Sequence, residues 1–211
     1  MPSQTDIETK GVSHAKSSPT STHDHLVDVG LALMRKQGYG ATGLQEILQA
    51  AGVPKGSFYH HFASKEEFTA AVIERYFTRA SEFAQKHLLE EKDHPPLGRL
   101  RRYFEALVKT AGQSAPLPGC LLGDLSLEVA DASPLLQRHL SDSFTGWQAG
   151  VGMVLREAVE RGELPKSTKV ESLAGFILNS WEGALLRSQA DKSDAPLKDF
   201  LHFVFDDLLV A

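Results

Sequence analysis

The sequence predicts an all-α protein: an N-terminal three-helix helix-turn-helix domain followed by a larger helical bundle. Three observations predict it. No segment sustains the apolar–polar alternation of a half-buried strand, whereas apolar residues recur three and four apart in one stretch after another. Helix punctuation (a Ser or Thr cap, a Pro at a first turn, a Gly just past a last one) falls between those stretches. The 211 residues suffice for a real core, and no apolar run approaches the ~20 residues that a membrane-spanning helix needs.

Residues 1–20 are rich in Ser, Thr and Lys and nearly free of large apolar side chains, the composition of a disordered N-terminal arm. A helix is predicted from Ser21 to Gln37, stopped by Gly38, with Leu26, Val29, Leu33 and Met34 as its stripe. Thr42 can N-cap the next helix with Gln45 as capping-box partner, and Ile47 and Leu48 form its apolar face. Gly52 supplies the positive φ of a tight turn. Pro54 then opens a short helix over Lys55–His61. Ser64 caps its successor, with Glu67 as the reciprocal partner. The DNA-binding domain is therefore placed at 21–64.

Behind it, 65–211 reads as an effector-binding and dimerisation domain. A long helix runs from Lys65 to about Glu90, with Phe68, Val72, Tyr76 and Phe83 in register, and ends before His94–Pro96. Another covers Leu97–Ala111, with a Pro-containing loop over Gly112–Gly119 and an apolar helix over Cys120–Ala130. Ser133 and Pro134 start a helix that reaches Arg161 and stops at Gly162. The last two are predicted over Ser167–Gln189 and Pro196–Val210.

Helix, glycine turn and short helix form the arrangement whose second helix enters the DNA major groove. Lys55 can neutralise a phosphate or reach a guanine, Gly56 and Ser57 keep the helix start slim, and Tyr59 and His60 offer polar tips on stiff stems. Thr42 and Lys65, at two helix starts, are expected to clamp phosphates. The net charge of −5 does not oppose this. Residues 1–65 carry six Lys/Arg against five Asp/Glu, so the acidic surface lies elsewhere, and five of the nine His fall in this part.

The run Gly52-Val53-Pro54-Lys55-Gly56-Ser57-Phe58-Tyr59-His60-His61-Phe62-Ala63-Ser64-Lys65-Glu66 resembles the signature of TetR-family transcriptional regulators. Leu48, where the family usually has alanine, and Gly43, where a second threonine is common, are mild departures. Arg156–Leu164 is similar to the link before that family's last two helices, so the resemblance extends from about Ser21 to the end. Together with Gly119-Cys120-Leu121 and Trp181-Glu182-Gly183-Ala184 it resembles a subgroup that includes repressors of N-ethylmaleimide reductase and of acrylate-catabolism genes. The resemblance implies a homodimeric repressor on a palindromic double-stranded DNA operator, released by a small-molecule or electrophile effector.

Cys120 is the only cysteine, which excludes an internal disulfide and fits a reducing cytoplasm. In a helix's first turn its thiol would gain thiolate character from the dipole; alternatively it is a small core residue. Near Gln189 electrophile-sensing relatives can carry a lysine that assists the cysteine, and this chain has none. An effector pocket is expected to be walled by Tyr103, Leu121, Phe144, Trp147 and Trp181 and reached by Cys120. The dimer interface is expected on the last two helices: Leu173, Ile177 and Leu185 on one, and Leu197, Phe200, Leu201, Val204 and Leu208 on the other. His23/His25 and His60/His61 have no third ligand nearby, so no metal or cofactor is expected. No local sequence marks a nucleophile with its base, which argues against an enzyme. The rival reading is a helical protein-interaction module with a non-covalent ligand and no thiol sensing.

Overall fold

The computed structural model describes residues 21–112 and 119–210, and every regular element among them is helical. The expected arm at 1–20 and nearly all of the Pro-containing loop lie outside the described residues. Helix α1 spans Thr22–Ala41, α2 Leu44–Ala51, α3 Lys55–His61 and α4 Lys65–Gln85, the last extended by a π-helical turn over Lys86–Glu90. Then come α5 (Pro96–Gly112), α6 (Leu121–Val129), α7 (Pro134–Glu160) and α8 (Val170–Asp191). Finally α9 (Ala195–His202) runs on through a π-helical segment, Phe203–Leu208. No described helix is long and apolar enough to cross a membrane.

Three of the predicted starts are capped by side chains, and two of these, Ser64 and Ser133, are caps the sequence named. Ser21 accepts from the Asp24 N–H, Ser64 from that of Glu67 and Ser133 from that of Leu136. Glu67 reaches back to the Ala63 N–H at 2.9 Å, closing a box around the start of α4. Thr42 differs from its expected role. Gly43 is the N-cap of α2 and makes no side-chain bond there, while Thr42 is fully buried and donates its hydroxyl to the Gly38 carbonyl at 2.6 Å. The cause is Gly38. At φ 81° and ψ 176° it breaks the helical path inside α1, leaving a carbonyl that needs a donor.

The stripe of α1 is wider than expected, with Leu26, Val27, Leu31 and Met34 buried and Val29 and Leu33 only half-buried. This helix is covered from two sides, by α2 and by α4. Phe68 of α4 packs on Gly30, where an added methyl group would meet its ring at 2.3 Å. Arg75 ties the same crossing by bonding Asp24 and Asp28, and Arg79 bonds Asp28 at 2.8 Å. Farther along, buried Arg99 of α5 pairs with Glu157 of α7.

Helices α8 and α9 turn most of the residues expected at the dimer face into the protomer. Ile177, Leu185, Leu197, Phe200 and Val204 are buried within the protomer, Leu173 and Leu201 are half-buried, and only Leu208 is exposed. Phe200 stacks 5.0 Å from Phe104 of α5 and 5.4 Å from Trp181 of α8. The regular i, i+3, i+4, i+7 stripe is thus the inner one, consumed by the protomer core. The exposed apolar side chains of these two helices lie beside it: Phe176, Phe203 and Leu208 rim a shallow groove between α8 and α9.

Candidate functional site

The turn between α2 and α3 is made by Gly52 at φ 66°, a backbone state that other residues rarely adopt, with the Val53 N–H returned to the Leu48 carbonyl at 3.1 Å. Pro54 is the cap of α3 rather than its first helical residue. Phe58 and Phe62 face inward onto Phe68, with ring centroids 5.4 and 5.1 Å away. That anchoring turns Lys55, Gly56, Tyr59 and His60 to solvent and leaves Ser57 half-buried. Tyr59 is 50% exposed, and the Lys55 ammonium lies 5.8 Å from its ring centroid. Five of the seven residues assigned to DNA therefore share one accessible short helix.

The other two lie off that helix and are held by contacts within the protein. Thr42 is sealed as described. Lys65 is half-buried, its ammonium donating to the Tyr39 carbonyl at 2.7 Å and standing 3.9 Å over the Tyr39 ring. Burial pulls its pKa down, while the Glu128 carboxylate supports the charge. Glu128, near the end of α6, was not singled out from the sequence. It accepts from the Tyr39 N–H at 3.2 Å and the Gly40 N–H at 2.8 Å, gripping the segment between the break at Gly38 and α2. A side chain at residue 38 would start 2.4 Å from the Glu128 carboxylate oxygen, so position 38 requires glycine for space as well as for φ.

A cavity of about 600 Å³ lies between α4, α5, α7 and α8, closed by α1 and by the start of α6. Of the residues expected in an effector pocket, Cys120, Tyr103, Trp147 and Trp181 line it. Leu121 and Phe144 do not. Successive residues on a helix point about 100° apart, and Leu122 takes the wall while Leu121 is buried in the core. Phe144 packs half-buried against that core instead. Lining residues that sequence reasoning missed include Leu31 and Arg35 from α1, Phe77 from α4 and Met153 from α7. Tyr76 was noticed only as part of a helical stripe.

Cys120 is the N-cap of α6, not a member of its first turn, and is 6% exposed. The Tyr76 hydroxyl donates to its Sγ at 3.8 Å. Its thiol pKa is pushed up to about 12, first by burial and then by the Glu182 carboxylate, against smaller lowering by the Gly123 backbone and Tyr76. Loss of hydration thus outweighs the helix terminus, the direction that goes with the core-residue alternative. Glu182 is itself raised to about 7 by burial. It fits because residue 123 is glycine, where an added methyl group would lie 2.9 Å from the carboxylate oxygen. The Gln189 amide and the Asp124 carboxylate crowd Gly119, 2.5 and 2.6 Å from where its Cβ would be, so the residue before the cysteine has little room for a side chain.

An exposed short helix on a helix-turn-helix, carried by a bundle with a largely apolar internal cavity, is the arrangement of a DNA-binding regulator. Residues 26–72 match the model for bacterial regulatory proteins of the tetR family, and residues 96–204 match the tetracyclin repressor-like C-terminal domain. The chain belongs to the TetR family of transcriptional regulators, which are not enzymes. It is 36% identical over 191 residues to the HTH-type transcriptional repressor DhaR of a Mycobacterium species, covering 90% of this chain and 93% of that one. It is 34% identical over 187 residues to the transcriptional regulator AcuR of Cereibacter sphaeroides, covering 86% and 85%. The crystal structure of Escherichia coli NemR in a reduced form superposes with a TM-score of 0.82 at 31% identity, over 88% of this chain and 95% of that one.

Proposed function

We propose that the protein is a homodimeric repressor that binds a palindromic operator through α3 and leaves it when an effector fills the cavity or modifies Cys120. One observation carries the coupling. Helix α6 touches the cavity at one end, through Cys120 and Leu122, and grips Tyr39 and Gly40 at the other, through Glu128. Nine residues of helix make a rod about 13 Å long. A ligand that shifts α6 therefore shifts the segment leading into α2 and α3, and the cavity also touches α1 directly at Leu31 and Arg35. Release is then a population shift: an occupied cavity favours a dimer whose two α3 helices no longer match successive major grooves.

Dimerisation through the exposed Phe176, Phe203 and Leu208 face would leave the two α3 helices free for the two half-sites. The relatives named as repressors support the direction of regulation. The NemR structure described as a reduced form supports a redox or thiol route, while the sealed, un-ionised Cys120 favours reversible ligand binding over fast alkylation. The test is a gel shift on the DNA upstream of the chain's own gene, with a maleimide or an oxidant added to the complex of wild type and of Cys120→Ser. Release from wild type alone establishes thiol sensing. Equal behaviour assigns Cys120 to the wall of a cavity for reversible ligands. No binding of that DNA under any condition goes against the operator reading.

A further inference from the structure

Resting on the reading of the cavity as the effector site, we infer that it takes a neutral, mostly hydrocarbon molecule bearing a carbonyl-type acceptor, held by the Tyr103–Trp147 pair. Trp147 stands on the wall of an otherwise largely apolar cavity, and its buried indole N–H has no hydrogen-bond partner of good geometry among the described residues. Buried donors are rarely left so, and an unmade bond in this setting marks where something else belongs. Tyr103 on α5 lines the same wall, and its hydroxyl is within weak hydrogen-bonding reach of the indole, which opposes the raising of the tyrosine's pKa by burial. An indole N–H can only donate, and a phenol can accept that proton while donating its own. However the two settle with each other, the pair has a proton left to offer into the cavity and asks for an acceptor.

The rest of the wall says what the acceptor is attached to. Leu107, Leu122, Met153, Trp181 and Leu185 surround the pair, so the body of the ligand is apolar. The cations on the lining, Arg35 and Arg79, are exposed to solvent, and Arg79 is already bonded to Asp28. A carboxylate drawn in to the Tyr103–Trp147 pair would lose its hydration with no buried cation to replace it, and Glu182 stands behind Cys120 on the same side of the bundle. A ketone, ester or amide oxygen avoids that cost.

Both tryptophans of the chain line the cavity, so intrinsic fluorescence reads its occupancy. The probes are cyclohexyl methyl ketone, isopropylcyclohexane and cyclohexanecarboxylate, which share size and shape and differ in the group offered. The variants are Tyr103→Phe and Trp147→Phe, which remove a donor and keep an aromatic ring; Trp181 remains as reporter in the second. Each variant is expected to weaken ketone binding about tenfold while hydrocarbon affinity stays within about twofold, the signature of one lost hydrogen bond. The carboxylate should bind wild type more weakly than the ketone. Equal losses for ketone and hydrocarbon, or no loss for either, overturn the assignment of the pair, and a carboxylate that binds more tightly than the ketone overturns neutrality. If the hydrocarbon binds but the ketone shows no dependence on the pair, only this inference falls. If none of the three perturbs wild-type fluorescence, the reading of the cavity as the effector site falls with it.

Discussion

Tyr59 and Tyr103 are the same residue in opposite surroundings. Tyr59 stands on the outer face of α3, half exposed, with its hydroxyl free to meet a base or a phosphate. Tyr103 is sealed on α5, and its hydroxyl faces a cavity rather than water. The first is placed by local means: two phenylalanines on the same short helix turn inward and swing everything else out. The second is placed by helices that meet across long stretches of chain. A surface that reads DNA can be built from consecutive residues, whereas a pocket that reads a small molecule depends on the packing of the whole bundle.

The largest effect should come from testing which apolar residues belong to the protomer. Phe200→Glu places a carboxylate among Phe104, Trp181 and Phe205, where burying an unpaired charge and losing a core ring costs about 4 kcal/mol or more. The expected outcome is loss of cooperative thermal unfolding rather than a folded monomer. Phe203→Glu, on the exposed side, should leave the helical signal intact and shift the protein to monomer on a sizing column. A folded Phe200→Glu monomer would return the interface to the stripe read from the sequence.

Next in size is a pH dependence inside the bundle. The Glu182 carboxyl titrates near 7 in the folded protein, raised from an ordinary value of 4.5 by burial. Between those two values the folded chain holds the proton and the unfolded chain has lost it, so unfolding releases a proton and stability falls as pH rises. The loss is fully absent below the unfolded pKa and complete above about pH 7, on the order of 3 kcal/mol across the window. Denaturant midpoints at pH 4.5, 6 and 7.5 should follow that slope in wild type and flatten in Glu182→Gln. An identical slope in the variant would assign the dependence to other groups.

The recognition helix comes third. Tyr59→Ala and His60→Ala should each weaken operator binding by about 1–3 kcal/mol in a direct assay, as good base contacts do. Lys55→Ala should weaken all sequences alike and reduce the salt slope by about 1. Thr42→Val provides the contrast, because a buried hydroxyl bonded to the Gly38 carbonyl acts on stability before it acts on DNA. If Thr42→Val lost operator affinity with an unchanged melting temperature, that threonine would have to be reached by phosphate after all.

These contrasts also explain what could be read in advance. The helix-turn-helix was legible because its signals are short-range: Gly52, the Ser64 cap and the inward pair Phe58 and Phe62 lie within thirteen consecutive residues. The helices of the bundle were legible from periodicity and caps such as Ser133. Which of two apolar faces turns inward was not, because α8 and α9 are apolar on more than one side and only their packing on α7 and α5 decides between them. The surroundings of the Cys120 thiol were not legible for a related reason. A helix start is visible in sequence, but the burial and the Glu182 carboxylate that outweigh it come from other elements. Glu128 gave no signal at all, since its partners are backbone amides nearly ninety residues away.

The smallest effect concerns that residue and bears on whether the two regions communicate through it. Glu128→Gln keeps the size and one acceptor oxygen but removes the charge that holds the Tyr39 and Gly40 amides and supports Lys65. A charge-assisted bond becomes a neutral one, a loss of about 1 kcal/mol. The substitution is far from the Tyr103–Trp147 wall, so ligand affinity read by tryptophan fluorescence should be unchanged. What should shrink is the coupling, the factor by which a cavity ligand weakens operator binding, because coupling needs an element that both sites bias. Measuring operator affinity with and without ligand, for wild type and Glu128→Gln, gives that factor directly. A coupling factor identical in the two proteins would rule out α6 as the connecting rod and leave α1, through Leu31 and Arg35, as the route.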